Sequence, residues 1–263
     1  MSDTLDLYKA LAVAKETALA AGKSLLENFN KFQVLHVKPG GDPTTTADIA
    51  SERIIKQDVL SAFPSHHFLG EEEGFAGVES EYTWVVDSLD GTKNYARGLW
   101  SYGLNIALYQ KEKLVIGVSY FPKVGDLYWA SKGQGSFLNG KKITVSPEQD
   151  LAKAMLYLDL PHGENRPYEI LNTLMIKSFR ARSFGIASLG LALVAQGAME
   201  AFVDLSGTSK IWDLAAGILL VEEAGGIVKS HDKISPLKDP GVPSSFLASN
   251  RTLSSALGKI MGI

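Results

Sequence analysis

Apolar residues recur at helical spacing from Leu5 to about Phe29, where Leu7, Leu11, Ala14, Ala18, Ala21, Leu25 and Phe29 fall on one face. This pattern predicts an amphipathic helix. The chain breaks at Lys38-Pro39-Gly40-Gly41, and a second helix follows Asp42-Pro43-Thr44-Thr45-Thr46-Ala47-Asp48, carried by Ile49, Ile54, Ile55, Val59 and Phe63. Phe68-Leu69 reads as a short strand that runs into the acidic turn Gly70-Glu71-Glu72-Glu73-Gly74. The adjacent His66 and His67 would point opposite ways on a strand, so they read as surface or turn residues rather than as one metal site.

Tyr82, Trp84, Val85 and Val86 then give an aromatic and β-branched stretch expected to be a buried strand. Further strands are expected at Tyr102–Tyr109, Leu114–Tyr120, Leu127–Ala130 and Ile143–Val145, with turns at Pro122–Asp126 and Gly133–Ser136. The Gly133-Gln134-Gly135 pair has no helix pattern after it, so it reads as a hairpin and not as a dinucleotide loop. From about residue 150 strands and helices alternate. Strands are expected at Met155–Leu158, Arg180–Phe184, Met199–Leu205, Ile227-Val228 and Phe246–Ala248, and helices at Leu189–Ala195 and Leu214–Ala224, the latter closed by Gly225-Gly226. An antiparallel first part (1–150) and an alternating second part (151–263) predict two packed α/β halves around one cleft.

Composition narrows the chemistry. The 263 residues contain no cysteine, carry a net charge of −3 and are 45% hydrophobic. No thiolate metal site or disulfide framework is available, and no basic field draws in nucleic acid or an anionic membrane. No apolar run reaches the ~18 residues of a membrane span, and the first residues lack a signal-peptide pattern. A cytoplasmic protein is expected.

The chemistry-bearing stretch is Asp87-Ser88-Leu89-Asp90-Gly91-Thr92, where two aspartates, a glycine and a hydroxyl end a strand and open a helix. The first N–H groups of a helix face an anion. Carboxylates beside them call for a cation in between. Asp213, in Trp212-Asp213-Leu214-Ala215-Ala216-Gly217, reads as a helix N-cap with one oxygen left free. Thr45 and Asp48 have capping-box spacing. If Glu71, Asp87, Asp90 and Asp213 converge, each pair ~4 Å apart costs about 4 kcal/mol at an effective dielectric near 20, which divalent cations would remove. An all-oxygen ligand set suits Mg²⁺.

Four ordered motifs carry a resemblance over nearly the whole chain: Asp42-x-x-Thr45-x-x-Asp48, Gly70-Glu71-Glu72, Trp84-x-x-Asp87-x-x-Asp90-Gly91-Thr92-x-Asn94-Tyr95, and Trp212-Asp213-x-Ala215-Ala216-Gly217 through Glu223-Ala224-Gly225-Gly226. The sequence resembles the inositol monophosphatase family of Mg²⁺-dependent, lithium-sensitive phosphatases. The resemblance implies an α/β (α+β) fold, a layered α-β-α-β-α sandwich of the sugar-phosphatase type, and a homodimer. It implies two or three Mg²⁺ ions, with Glu71, Asp87 and the Leu89 carbonyl on one and Asp87, Asp90 and Asp213 on a second. Glu71 and Thr92 would orient the attacking water, with Asp48 and Thr45 beside them. Gly91 and Thr92 would bind the ester phosphate, while Asp90, Asp213, Ala187 and Asp204 would meet the substrate.

The implied reaction is hydrolysis of a small phosphate monoester, foremost inositol monophosphate. Fructose 1,6-bisphosphate and 3′-phosphonucleotides are the alternatives within the same chemistry, and a regulatory binding protein that keeps the fold is the alternative outside it. Three departures bear on substrate choice. Ser88 stands where the family usually has proline, Asp204 where it usually has glutamate, and the link from Asp204 to Trp212 resembles that of archaeal relatives that also accept fructose 1,6-bisphosphate. A bisphosphatase would need a second anion pocket, for which Arg166, Arg182 and Lys210 are candidates.

Overall fold

Helix α1 (Leu7–Asn28) is capped by Asp6, whose carboxylate accepts the Tyr8 and Lys9 N–H groups. Its buried face is mostly alanine (Ala10, Ala14, Ala18, Ala21), which lets it lie close against α2 (Thr46–Ala62). Between them β1 (Val34–Val37) and β2 (Pro43–Thr45) pair antiparallel. The computed structural model describes residues 6–38, 41–160, 167–230 and 245–263.

β3 (His67–Gly70), β4 (Gly74–Gly77) and β5 (Tyr82–Asp90) follow, then the short helix α3 (Thr92–Ala96). β6 (Gly103–Gln110), β7 (Lys113–Phe121), β8 (Asp126–Ser131), β9 (Gly135–Leu138) and β10 (Lys141–Ile143) complete an eight-stranded sheet in the order β10-β9-β8-β7-β6-β5-β3-β4. Every pairing in it is antiparallel except β3 with β5. All nine residues of β5 are buried, because helices cover both faces of the sheet at that point.

The rest of the chain runs β11 (Met155–Asp159), α4 (Tyr168–Lys177), β12 (Arg180–Arg182), α5 (Ala187–Ala195), β13 (Ala201–Asp204), α6 (Ile211–Glu223), β14 (Ile227–Ser230), β15 (Phe246–Ser249) and α7 (Arg251–Met261). Its strands form a second sheet, β12-β11-β13-β15-β14, parallel at the first three and antiparallel at the rest.

Layer order follows from the packing. α1 and α2 cover one face of the large sheet, α5 and α6 lie between the two sheets, and α4 and α7 cover the far side of the small one. This is the α-β-α-β-α sandwich that the family resemblance implied. Gly117 on β7 lets α6 approach, since a Cβ there would sit 2.6 Å from the Ala216 carbonyl oxygen. That contact seats the middle of α6 on the face of the large sheet.

Several expectations are corrected. The strand expected at Ile143–Val145 lies at Lys141–Ile143, where it pairs with β9, while the Val145 N–H turns away to the Ala224 carbonyl. His66 is not a surface residue: it is only 4% exposed, its Nδ1 accepts the Trp84 Nε1–H at 3.0 Å, and it stacks between Phe63 and Tyr82. Burial pushes its pKa down to about 4, so it is a neutral acceptor in the core. His67 lies on β3 and stacks on Phe75. The hairpin expected at Gly133–Ser136 is present, with Gly133 and Gly135 at φ of 77° and 91°.

Candidate active site

The site begins with an irregularity. Asp87 and Asp90 are three residues apart, so on a regular strand they would face opposite sides of the sheet. β5 pairs Asp87 with Asn105 but Asp90 with Gly103, so one extra residue bulges out of β5. The bulge turns both carboxylates toward the same end. Leu89 donates its N–H to Asp87 Oδ1 at 3.0 Å, fixing the turn. Gly91 then takes φ of 86°, and a Cβ at that position would sit 3.0 Å from the Ser101 carbonyl oxygen.

Helix α2 supplies the next layer. The expected capping box is present: Thr45 N–H donates to Asp48 Oδ2 at 2.8 Å and Thr45 Oγ1 donates to the same oxygen at 2.5 Å. The other oxygen, Oδ1, accepts Thr92 Oγ1–H at 3.0 Å, with the Leu89 carbonyl oxygen 2.9 Å from that hydroxyl. Ser88 Oγ donates to the Asp48 carbonyl, and Ser51 Oγ donates to the Ser88 carbonyl. The serine that stands in place of proline therefore ties α2 to the ligand loop.

Glu71 and Glu72 leave the end of β3 in the acidic turn. It is held from below. Glu52 of α2 is fully buried and accepts the Glu72 and Glu73 N–H groups at 3.0 and 2.7 Å. Gly70 is required there, because a Cβ would collide with the Glu52 carboxylate. From above, Lys38 Nζ lies 2.6 Å from Glu71 Oε1 and 2.7 Å from Glu72 Oε1. Burial opposes the charge on Lys38, but the two glutamates outweigh it and hold the ammonium above its usual range.

Asp213 arrives on α6. It is not the N-cap, as the sequence suggested, but the third residue of the helix: Lys210 is the cap, and its N–H donates to Asp213 Oδ2 at 2.6 Å. One carboxylate oxygen each from Glu71, Asp87 and Asp213 lie within 4.8 Å of one another. Asp90 joins them electrostatically, with the Ser188 N–H at 3.0 Å from its Oδ2.

This crowding is visible in the proton affinities. Burial first, then Glu71, Asp90 and Asp213, push Asp87 well above the carboxylate range. Burial, then Asp90 and Glu71, do the same to Asp213. Burial raises Asp90 to about 6 against its Ser188 hydrogen bonds, and raises Asp48 to about 6 against those from Thr45 and Thr92. Glu71 is raised by burial in spite of Lys38. Four carboxylates that resist ionising side by side, with only oxygen donors in the cluster, are a fit for small hard cations.

The remaining expected residues fall as follows. Ala187 is the buried first residue of α5, adjacent to the Ser188 N–H that holds Asp90. Asp204 is fully buried at the end of β13, where Oδ1 accepts the Ser206 N–H at 2.7 Å and Oδ2 accepts Ser209 Oγ–H at 2.5 Å. It faces its own loop. Arg182 is exposed and donates to the neighbouring Ala181 carbonyl; Lys210 is the α6 cap; Arg166 lies outside the described residues. Sequence reasoning missed Lys38, Glu52 and Asn94, whose amide donates to the Ser101 and Phe184 carbonyls and so ties α3 to the segment before α5. Asn94 stood inside a quoted motif, whereas Glu52 and Lys38 carry no local signal.

Comparison with known proteins agrees with this layout. The profile described as "Inositol monophosphatase family" matches residues 6–257. The "Fructose-1,6-bisphosphatase/inositol-1-monophosphatase" of Aquifex aeolicus is 34% identical over 94% of this chain and 93% of its own. The "Inositol-1-monophosphatase" of Mesorhizobium japonicum is 36% identical over 95% and 94%. Among solved structures, the extragenic suppressor protein suhB of Bartonella henselae superposes with a TM-score of 0.86 at 32% identity, covering 95% of this chain and 97% of that one. Among the described residues no helix is long and apolar enough to cross a membrane.

Proposed function

Because the chain belongs to the inositol monophosphatase family and is a phosphoric monoester hydrolase, we propose that its substrate is a small polyol monophosphate, inositol monophosphate first. The observation that carries this reading is the meeting of Glu71, Asp87 and Asp213 oxygens within 4.8 Å at the end of β5. Under it, Glu71, Asp87, the Leu89 carbonyl, Asp90 and Asp213 hold two or three Mg²⁺ ions. When bound, such ions supply positive charge for nucleophile generation and for the leaving oxygen of an in-line displacement.

The chain's own groups do the rest. Phosphate monoesters are among the slowest bonds to break in water, so positioning counts for much of the acceleration. Asp48 fixes the Thr92 hydroxyl, and Thr92 with Glu71 orients the attacking water. The Gly91 and Thr92 N–H groups, at the opening of α3, bind the ester phosphate. Bulge, cap and acidic turn are all fixed by hydrogen bonds inside the fold, so little reorganisation accompanies the reaction. This reading also places the enzyme in the cytoplasm as a homodimer, which sedimentation checks.

A second reading, fructose 1,6-bisphosphate as substrate, is favoured by the name of the Aquifex aeolicus relative. The test is phosphate release from inositol, fructose, glycerol and nucleotide 3′-phosphates. Turnover is expected with Mg²⁺, none after EDTA, and inhibition by lithium. Full activity in EDTA would refute the cation requirement. Release from the nucleotide alone would refute the polyol.

A further inference from the structure

Beside Asp204, which the family resemblance sets against the substrate's alcohol part, lies a carboxylate that no motif singled out. Asp159 ends β11, and the parallel register pairs it with Asp204 at the end of β13. Residues two apart on a strand share a face, so Asp159 points the same way as Tyr157. That tyrosine accepts the Phe184 and Ile186 N–H groups and donates to the Ile186 carbonyl, fixing the segment that leads to Ala187 and Ser188. Asp159 therefore lies one pleat beyond the segment that positions the Ser188 N–H against Asp90. It is close enough to Asp204 and then Asp90 for their charges to bear on it, and close enough to Asp213 for its own charge to bear there. The carboxyl ends of parallel strands are also where α/β folds receive their ligands.

The two paired aspartates differ in what they have left to offer. Asp204 is fully buried and both its oxygens are taken by Ser206 and Ser209, so it organises the loop that runs to Asp213. Asp159 is only half-buried, held by the Leu160 N–H and the Ser206 hydroxyl. A carboxyl group has about four lone-pair sites, so each aspartate keeps some, but only those of the half-buried Asp159 can be reached by a ligand. It is also unsuited to the phosphate itself, which its charge would repel. We infer that Asp159, rather than Asp204, is the residue that reads the substrate's alcohol part, accepting hydrogen bonds from the hydroxyls of a polyol and so favouring polyol phosphates over esters of hydroxyl-free alcohols. This rests on the phosphatase reading above and goes one residue further.

The experiment compares two esters in the intact enzyme with Mg²⁺: inositol 1-phosphate, which carries hydroxyls, and phenyl phosphate, which carries none. In Asp159→Ala and Asp159→Asn the ratio of kcat/KM for the inositol ester to that for the phenyl ester should fall about tenfold or more, chiefly through KM, as expected for loss of a hydrogen bond to a charged group. Asp204→Asn should instead lower kcat for both esters together, because its loop leads to Asp213. Asp159→Glu keeps the carboxylate and should restore most of the ratio, and Asp159→Ser gives a folded comparison if the Ala and Asn variants fail. An unchanged ester ratio in a folded Asp159→Ala, Asp159→Asn or Asp159→Ser, or a ratio that falls in Asp204→Asn instead, overturns the inference. A wild-type enzyme that releases phosphate from neither ester overturns the phosphatase reading itself.

Discussion

Helices α2 and α6 begin in the same way and put the same residue to different uses. In both, an aspartate at the third helical position accepts the cap residue's N–H: Asp48 from Thr45 and Asp213 from Lys210. Around Asp48 both carboxylate oxygens are consumed, one by Thr45 and one by Thr92. Around Asp213 the cap is a lysine, which brings no hydroxyl, and the carboxylate meets Glu71 and Asp87 instead. Under the proposed function, a threonine cap thus makes a positioning residue and a non-hydroxyl cap leaves a ligand. The same local motif supports either role, and only the opposing strand end decides which.

The largest effect should separate the two. Asp213→Asn keeps the cap but loses the charge facing the cations, and kcat should fall about 10³-fold, the several kcal/mol that metal-assisted charge stabilisation supplies. Steady-state kinetics at saturating Mg²⁺ checks it. Near-normal turnover would remove Asp213 from the ligand set. Asp48→Asn should cost less, about 10- to 100-fold in kcat with KM little changed, since it acts only through Thr92. It should also lower the melting temperature by about 2–4 °C, because weakening an N-cap costs about 1 kcal/mol.

A pH series on EDTA-treated protein sharpens the contrast. The ordinary value for both Asp48 and Asp90 is 3.8, and the fold raises each to about 6. Between those values the native state holds protons that the unfolded chain has released, so metal-free stability should fall as pH rises from about 4 to 6. Asp87 and Asp213 extend the fall upward. His66, lowered from 6.5 to about 4, works in the opposite sense, with stability lost as pH falls, but it is one group against several. Mg²⁺ should raise the melting temperature more at pH 7 than at pH 5. A flat or rising metal-free curve over this range would contradict the proton assignments. The smallest effect belongs to Ser88→Ala, which removes the bond to the Asp48 carbonyl. About 1 kcal/mol of stability should go, with kcat within about threefold, read by denaturant melts and kinetics.

The sequence displayed the parts whose signals are local. The alanine stripe of α1, the Thr45–Asp48 box and the β5 run were legible because periodicity and cap chemistry act within one turn or one strand. His66 is a core acceptor and not the surface residue expected, because its partner, Trp84, lies 18 residues on, on the neighbouring strand β5, and nothing in a His-His pair announces that contact. β1 was invisible for a different reason: all four of its residues are exposed, so no alternation marks it. Helix α7 carries a local signal in its Asn250 cap, whose side chain accepts the Leu253 N–H. Glu52 and Lys38 act on residues far along the chain, and a single sequence does not record that distance. The convergence of Glu71, Asp87, Asp90 and Asp213 became readable only through the ordered motifs of the family.

The contacts that tie the end of β5 and α3 to the segment around α5 have a kinetic consequence. Asp90 is held by the Ser188 N–H, 98 residues away in sequence, and Asn94 by the Phe184 carbonyl, 90 away. Closing loops of that size is entropically slow, and contacts of such separation form late in folding. A chain still emerging from the ribosome with α6 unmade would hold its large sheet with Glu71, Asp87 and Asp90 already crowded and no Asp213 to complete the site. The centre is thus assembled last, and cation binding reports on completion of the whole fold, stabilising the finished chain over every partial one by mass action.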